Sequence, residues 1–466
     1  MRKAIFPLIS LLILAIAITG SMISCKTQSA KTENLMDSID YKKKLPEWAK
    51  SASIYEVNTR QYTPEGTFKA FQKELPRLKE MGVDILWMMP INPIGVKNRK
   101  GTLGSYYSIK DYKAINPEFG TESDFKNLVT EAHKLGMHVI IDWVANHTSW
   151  DNVWMKNHSD WYTKDSLGNI IRPAGTDWDD TADLNYSNPE LRRAMIDAMS
   201  YWVKNADIDG FRCDVAGMIP LSFWIHARKA IDEIKPGCFF LAEDGEPAIH
   251  KAFDMTYDWP LKDIINDIAK GKKNANDLIK HFESESKRFK PEDLRMQFTT
   301  NHDENTWSGS EYERLGDAPV DAFTVLTYML PGMPLTYTGQ EEPLKKRLKF
   351  FDKDTVGFKN YARKELITKL NDLKHGNKAL WNISYSAGFF GIRNTNSDNV
   401  LCFVRQNSKT QILCMFNLTP KEQNFRISDE LITDFTVYLG EPITIKKDAV
   451  YQLKPWGYSV LVYIKK

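Results

Sequence analysis

Between residues 53 and 341 the chain repeats one rhythm eight times: a short run rich in β-branched and aromatic residues, then, in most cases, a longer stretch with apolar residues at helical spacing. The runs are SIYEVNTRQ, VDILWMMP, HVIIDWVANH, IDGFRCDV, CFFLAED, AFDMTYDW, MQFTTNHDEN and PLTYTGQE, and FKAFQKELPRLKEMG shows the helical spacing between the first two. Eight β/α units close a parallel sheet on itself, so the rhythm predicts an α/β fold, a (β/α)8 TIM barrel over residues 46–380. A doubly wound open sheet also alternates, but eight repeats and no G-x-G-x-x-G after the first run favour closure. Residues 148–188 break the rhythm with turn formers and aromatics. They read as a short insertion after strand 3, and connections of such length are usually functional. Beyond about residue 380 the helical period ends. GFFGIRNTN, NVLCFVRQN, TQILCMFNL, FTVYLG and YSVLVYIKK predict a C-terminal antiparallel β-sandwich domain over 381–466.

The N-terminus reads as separate from this fold. Arg2 and Lys3 precede the apolar stretch AIFPLISLLILAIAITGSMISC, the form of an export signal over residues 1–25 that resembles a bacterial lipoprotein signal. An anchor of this kind on Cys25, followed by a polar tether over 26–45, would hold an exported protein on a membrane, at the periplasmic face or the cell surface. An uncleaved membrane anchor is the alternative. Sixty-two basic against sixty acidic residues leave a net charge of +2, which argues against nucleic acid and for a neutral partner. Thirteen Trp and nineteen Tyr supply flat rings that stack on sugars, although most such rings serve ordinary cores. Cys213, Cys238, Cys402 and Cys414 lack metal-ligand spacing and read as small buried hydrophobes, with a Cys402–Cys414 bridge left open.

Polar residues gather at one end of the predicted strands. Asp142, Asn146 and His147 follow the third, Arg212 and Asp214 the fourth, Glu243 the fifth, and His302 and Asp303 the seventh. In a (β/α)8 barrel those ends form the active-site face, where carboxylates from separate strands converge. Converging carboxylates and a neutral partner point to glycoside hydrolysis, which needs one ionised and one protonated carboxyl. Arg212 and Asp214 share a strand face, so the guanidinium is expected to hold Asp214 anionic and lower its pKa. The apolar approach CFFLA is expected to desolvate Glu243 and keep it the proton donor.

These residues resemble the α-amylase family of glycoside hydrolases. DWVANH (142–147), GFRCDVAGM (210–218), LAED (241–244) and FTTNHDEN (298–305) are similar to its four best-known motifs, in order, and GVDILWMMP, ADLN and YTGQE agree more weakly. The resemblance implies Asp214 as nucleophile, Glu243 as acid/base and Asp303 as the third carboxylate. It also implies that His147 and His302 hydrogen-bond the sugar, that Tyr107 stacks on it, and that Asp142 is a structural partner of Arg212. The activity implied is retaining cleavage of α-glucosidic bonds, chiefly α-1,4 links of malto-oligosaccharides or starch-derived glucans. The alternatives are an α-glucan transglycosylase or glucanotransferase, and a non-catalytic glycan-binding lipoprotein. Gly217 and Met218 stand where many members carry Lys-His, which leaves a preference for long chains open. A structural calcium is likewise open: Asn146 and Asp183 match family ligands and are oxygen donors, but the short insertion gives little room for a full shell.

Overall fold

The computed structural model describes residues 43–382, 388–431 and 434–464. The expected signal, Cys25 and the tether up to residue 42 lie outside the described residues. Eight parallel strands close into a barrel in chain order: β1 (Ile54–Val57), β2 (Ile85–Met88), β3 (His138–Trp143), β4 (Gly210–Cys213), β5 (Phe239–Ala242), β6 (Met255–Tyr257), β7 (Leu294–Gln297) and β8 (Met333–Tyr337). Strand β8 pairs back onto β1, with Glu56 opposite Tyr337, and β1 pairs β2 with Glu56 opposite Trp87. Seven strands lie inside their predicted runs or within one residue of them. β7 begins two residues earlier than expected, and it ends early because Thr299 bonds through its side chain and carbonyl to Gln340 and Arg314 instead of continuing the ladder.

The barrel strands are buried on both faces, which explains their near-continuous apolar runs. Inward residues Ile54, Ile85, Ile140, Phe239, Leu241, Met255, Met296 and Leu335 fill the centre, and Ala49 and Ala52, before β1, pack against this cluster. Trp48 stacks on His138 at the start of β3, with ring centroids 3.9 Å apart. Outward residues such as Val139, Ile141, Phe211 and Phe240 join the core beneath the surrounding helices. Two of those helices begin where the sequence supplies caps. Thr121 and Asp124 form a reciprocal capping box on Glu122–Lys134, and Asn188 caps Pro189–Ala206 with proline at the first turn. Gly210 opens β4 at φ 151°, where a Cβ would lie 1.9 Å from the carbonyl oxygen of Phe239, so only glycine lets β5 approach.

The 148–188 insertion is a flap built on a short antiparallel hairpin, His147–Ser149 with Thr181–Asp183. The C-terminal region carries a five-stranded antiparallel sheet in the order Gly388–Gly391, Val400–Gln406, Thr410–Asn417, Tyr458–Ile464, Thr436–Gly440. A second, two-stranded sheet of Gln423–Phe425 and Tyr451–Leu453 was not predicted; at three residues each, its strands are too short to show alternation. One face of the large sheet, with Cys402, Val404, Leu413 and Met415, packs on this small sheet. Its other face, with Phe403, Ile412, Cys414 and Phe416, packs on barrel helices. That arrangement removes the Cys402–Cys414 bridge. Cys402 pairs with Met415 and Phe403 with Cys414, so the two thiols point to opposite faces, and all four described cysteines are free and buried.

Candidate active site

The uppermost inward layer of the barrel is polar where the layers below are apolar. Glu56 of β1, Asp142 of β3, Arg212 of β4 and Tyr257 of β6 are all buried there. An arginine with no exposed surface survives only if its charge is matched. The Arg212 Nη1 lies 2.9 Å from Asp142 Oδ1 and 3.0 Å from Asp214 Oδ1, Nη2 lies 3.0 Å from Glu243 Oε2, and Nε donates to the Tyr257 hydroxyl at 3.0 Å. Its guanidinium also sits over the Trp87 ring, 5.1 Å from the centroid.

The expected lowering of the Asp214 pKa by Arg212 does not hold. Arg212 serves Asp214 and Glu243 alike, through its two terminal nitrogens, so it cannot by itself make one anionic and the other not. Burial pushes the Asp214 carboxyl well above the usual carboxylate range, the neighbouring Glu243 adds to the rise, and Arg212 offsets only part of it. Burial raises Asp142 as well, against the pull of Arg212. One cation thus faces three carboxyls, and burial raises Asp142 and Asp214 in spite of it.

Glu243 is positioned by strain as well as charge. Val215, directly after Asp214, adopts φ 36° and ψ 46°, a left-handed conformation that costs a β-branched residue about 1–3 kcal/mol. Its N–H is thereby aimed at Glu243 Oε2, 2.8 Å away. Asp303 follows β7 at the mouth and is the most open of the three, at 37% side-chain exposure, with Oδ1 accepting from Trp307 Nε1 at 3.2 Å and Oδ2 lying 3.4 Å from His302 Nε2.

Tyr107, His147 and His302 reach the same pocket, a cavity of about 470 Å³ lined also by Trp178, Trp307 and Phe350. Tyr107 lies parallel to His302 and to Phe350, at 5.4 and 6.2 Å between centroids, and its hydroxyl is 2.7 Å from His302 Nε2 and 3.1 Å from Asp142 Oδ2. Burial lowers the His147 pKa to about 4, so it is neutral at pH 7. Burial also opposes charge on His302, but the carboxylates of Asp303 and Glu56 outweigh it and carry its pKa up to about 9.

Asn146 immediately precedes the flap hairpin and Asp183 ends its second strand, and neither lines this cavity. Asp183 is half-buried, with its carboxyl raised by burial, and it makes no ion pair among the described residues. A carboxylate that accepts from Thr163 but has no ion pair among the described residues, one register step from an amide oxygen, suits a hard cation, though two side chains are a small part of the six to eight oxygens calcium takes. Sequence reasoning missed Glu56, Trp178, Trp307 and Phe350. A charged residue on the inward face of IYEV was the available signal for Glu56; the aromatics sit in loops whose path no periodicity records.

The comparisons with known proteins agree with this geometry. The α-amylase catalytic-domain profile matches residues 30–170 and 175–432. The chain is 27% identical over 398 residues to the α-amylase MalA of Haloarcula japonica, covering 80% of this chain and 56% of that protein. It is 28% identical to α-amylase 3 of Dictyoglomus thermophilum, covering 63% and 64%, so it spans under two thirds of either relative. Among solved structures, an α-amylase from Lactobacillus plantarum superposes with a TM-score of 0.80 at 31% identity, over 90% of this chain and all of that one. A maltogenic α-amylase from Thermotoga neapolitana gives 0.77 at 31%, over 90% and 98%. With a profile match across most of its length and the barrel that profile describes, the chain belongs to the α-amylase catalytic-domain family of glycoside hydrolases.

Proposed function

We propose that the protein is a retaining hydrolase of α-glucosidic bonds, acting chiefly on α-1,4 links of malto-oligosaccharides. The observation that carries this is the single guanidinium holding Asp214 and Glu243 at 3.0 Å each, which makes them near neighbours under an aromatic-lined cavity. Retaining enzymes hold their two carboxyls about 5–5.5 Å apart, with no room for a water between nucleophile and sugar. Asp214 Oδ1 is occupied by Arg212, so Oδ2 attacks the anomeric carbon. Glu243 Oε2 is occupied by Val215 N–H and Arg212, so Oε1 of the protonated acid delivers the proton to the leaving oxygen, and the C–O bond to the leaving sugar breaks. A glycosyl ester on Asp214 results. Glu243 then takes a proton from water, whose oxygen attacks the same carbon, freeing the α-anomer and the Asp214 carboxylate. Asp303 and the cationic His302 face the sugar hydroxyls, and Tyr107 and Trp307 offer it ring faces and edges.

Proton NMR of the protein with maltoheptaose tests this: an α-anomer as first product is expected. A β-anomer would overturn retention, and tight binding with no product after a day would favour the glycan-binding reading.

Three finer readings belong with this proposal. Residues 46–380 form the catalytic domain and 381–466 the C-terminal domain. Asn146 and Asp183 hold a structural calcium that braces the flap hairpin, supported by a half-buried carboxylate with no ion pair among the described residues. The protein is exported and lipid-anchored through Cys25, supported by the basic and apolar segments before it. Detergent-dependent release of the wild-type protein from membranes, lost in Cys25→Ala, tests the last of these.

A further inference from the structure

Beneath the catalytic carboxyls lies an ionisable group the mechanism does not use. Glu56 is fully buried on the inward face of β1, and its Oε1 is 2.5 Å from His302 Nδ1, on the far side of the imidazole from the pocket. Its other oxygen, Oε2, has no hydrogen-bond partner among the described residues. From His302 a continuous chain runs through the Tyr107 hydroxyl at 2.7 Å to Asp142 Oδ2 at 3.1 Å, and from Asp142 Oδ1 to Arg212 at 2.9 Å. One arrangement satisfies the donors and acceptors along it with Asp142 ionised. His302 donates from Nδ1 to Glu56 and from Nε2 to Tyr107, which donates to Asp142, which accepts from Arg212.

We propose that Glu56 is a positioning residue for the reaction: it holds His302 as a doubly protonated donor, so that Nε2–H faces Tyr107, Asp303 and the substrate. The inference rests on the hydrolase reading of the site and adds a residue to it. Other groups facing His302 do not supply the same effect. Asp303 also favours the charged imidazole, but from 3.4 Å at the open mouth and without a hydrogen bond to Nδ1, so it does not fix both ring protons; Asp142 faces the ring only through Tyr107, and Arg212 opposes a positive imidazole. Tyr107 and the Trp87 ring, its centroid 6.0 Å from that of His302, carry no charge. With Glu56 removed, a buried imidazole next to a guanidinium loses its proton near neutrality. Its Nε2 then becomes an acceptor, and the Tyr107 hydroxyl turns toward it and away from Asp142.

The test is the pH dependence of kcat/KM on maltoheptaose for wild type and Glu56→Gln, which keeps shape and a hydrogen-bond acceptor but removes the charge. Expected is a wild-type to variant ratio that grows at least tenfold between pH 6 and pH 8.5, about two units of displacement in the basic limb. Glu56→Asp, which keeps the charge, restores the wild-type limb. A ratio that stays constant with pH overturns the proposal, since lost packing lowers activity equally at all pH values. The His302 imidazole is followed in parallel by ¹H–¹⁵N NMR of the full chain, assigned with His302→Asn. A titration midpoint that falls in Glu56→Gln supports the pairing even if the protein cleaves no α-glucan, and an unmoved midpoint refutes it.

Discussion

Replacing Arg212 with Met keeps the length of the stem and deletes the cation shared by Asp142, Asp214 and Glu243 at 2.9–3.0 Å. Breaking a buried pair by removing one partner costs about 3–5 kcal/mol, because the remaining charge is stranded. Here the cost depends on pH, since stranded carboxyls escape it by taking up protons. Burial already raises Asp142 and Asp214 in the wild type, and without Arg212 they rise further. A carboxyl whose folded pKa exceeds its unfolded value of about 3.9 contributes most below that value and loses its contribution as pH rises through the folded pKa. The deficit of Arg212→Met should therefore be small near pH 5 and reach about 3–5 kcal/mol at pH 8. Urea unfolding at both pH values, with the slopes compared, measures it. An equal deficit at the two would mean that Arg212 contributes packing and not charge, and would refute the reasoning. Turnover should fall by roughly 10- to 150-fold or more, the equivalent of one charge-assisted hydrogen bond of about 1.5–3 kcal/mol.

Asp214→Asn should abolish turnover yet leave the barrel folded, since the amide oxygen can still accept from Arg212; activity near wild type would remove Asp214 from its role. Trp307→Ala removes the indole N–H from Asp303 Oδ1 and a ring from the mouth, and should lower kcat/KM about tenfold, for ~1.5 kcal/mol, with little change in melting temperature. Adding calcium to chelator-treated wild type should raise its melting temperature, and the same addition should not move Asp183→Asn; equal shifts in both would place any bound ion elsewhere.

The barrel was legible because periodicity is a local property: a strand buried on both faces is a short apolar run, and eight such runs separated by helical patterns leave few closed solutions. Asp214, Glu243 and Asp303 could be picked out for the same reason, as charged residues standing where apolar runs stop. The β7 ladder ended early because side chains of Gln340 and Arg314, remote in the chain, took up the bonding of Thr299. The bridge between Cys402 and Cys414 failed on register, which a residue count between two cysteines does not contain.

By itself, then, the sequence determined the architecture, the face of the barrel that carries the site and the carboxyls that converge there, because each follows from pattern along the chain. Tertiary structure alone decided how those groups share charge. That Arg212 divides between Asp214 and Glu243, that burial outweighs it at Asp214, and that Glu56, 246 positions away, lies behind His302 are facts of through-space distance and desolvation. Coulomb and solvation energies depend on separation and burial in three dimensions, and chain order specifies neither until the strands have closed.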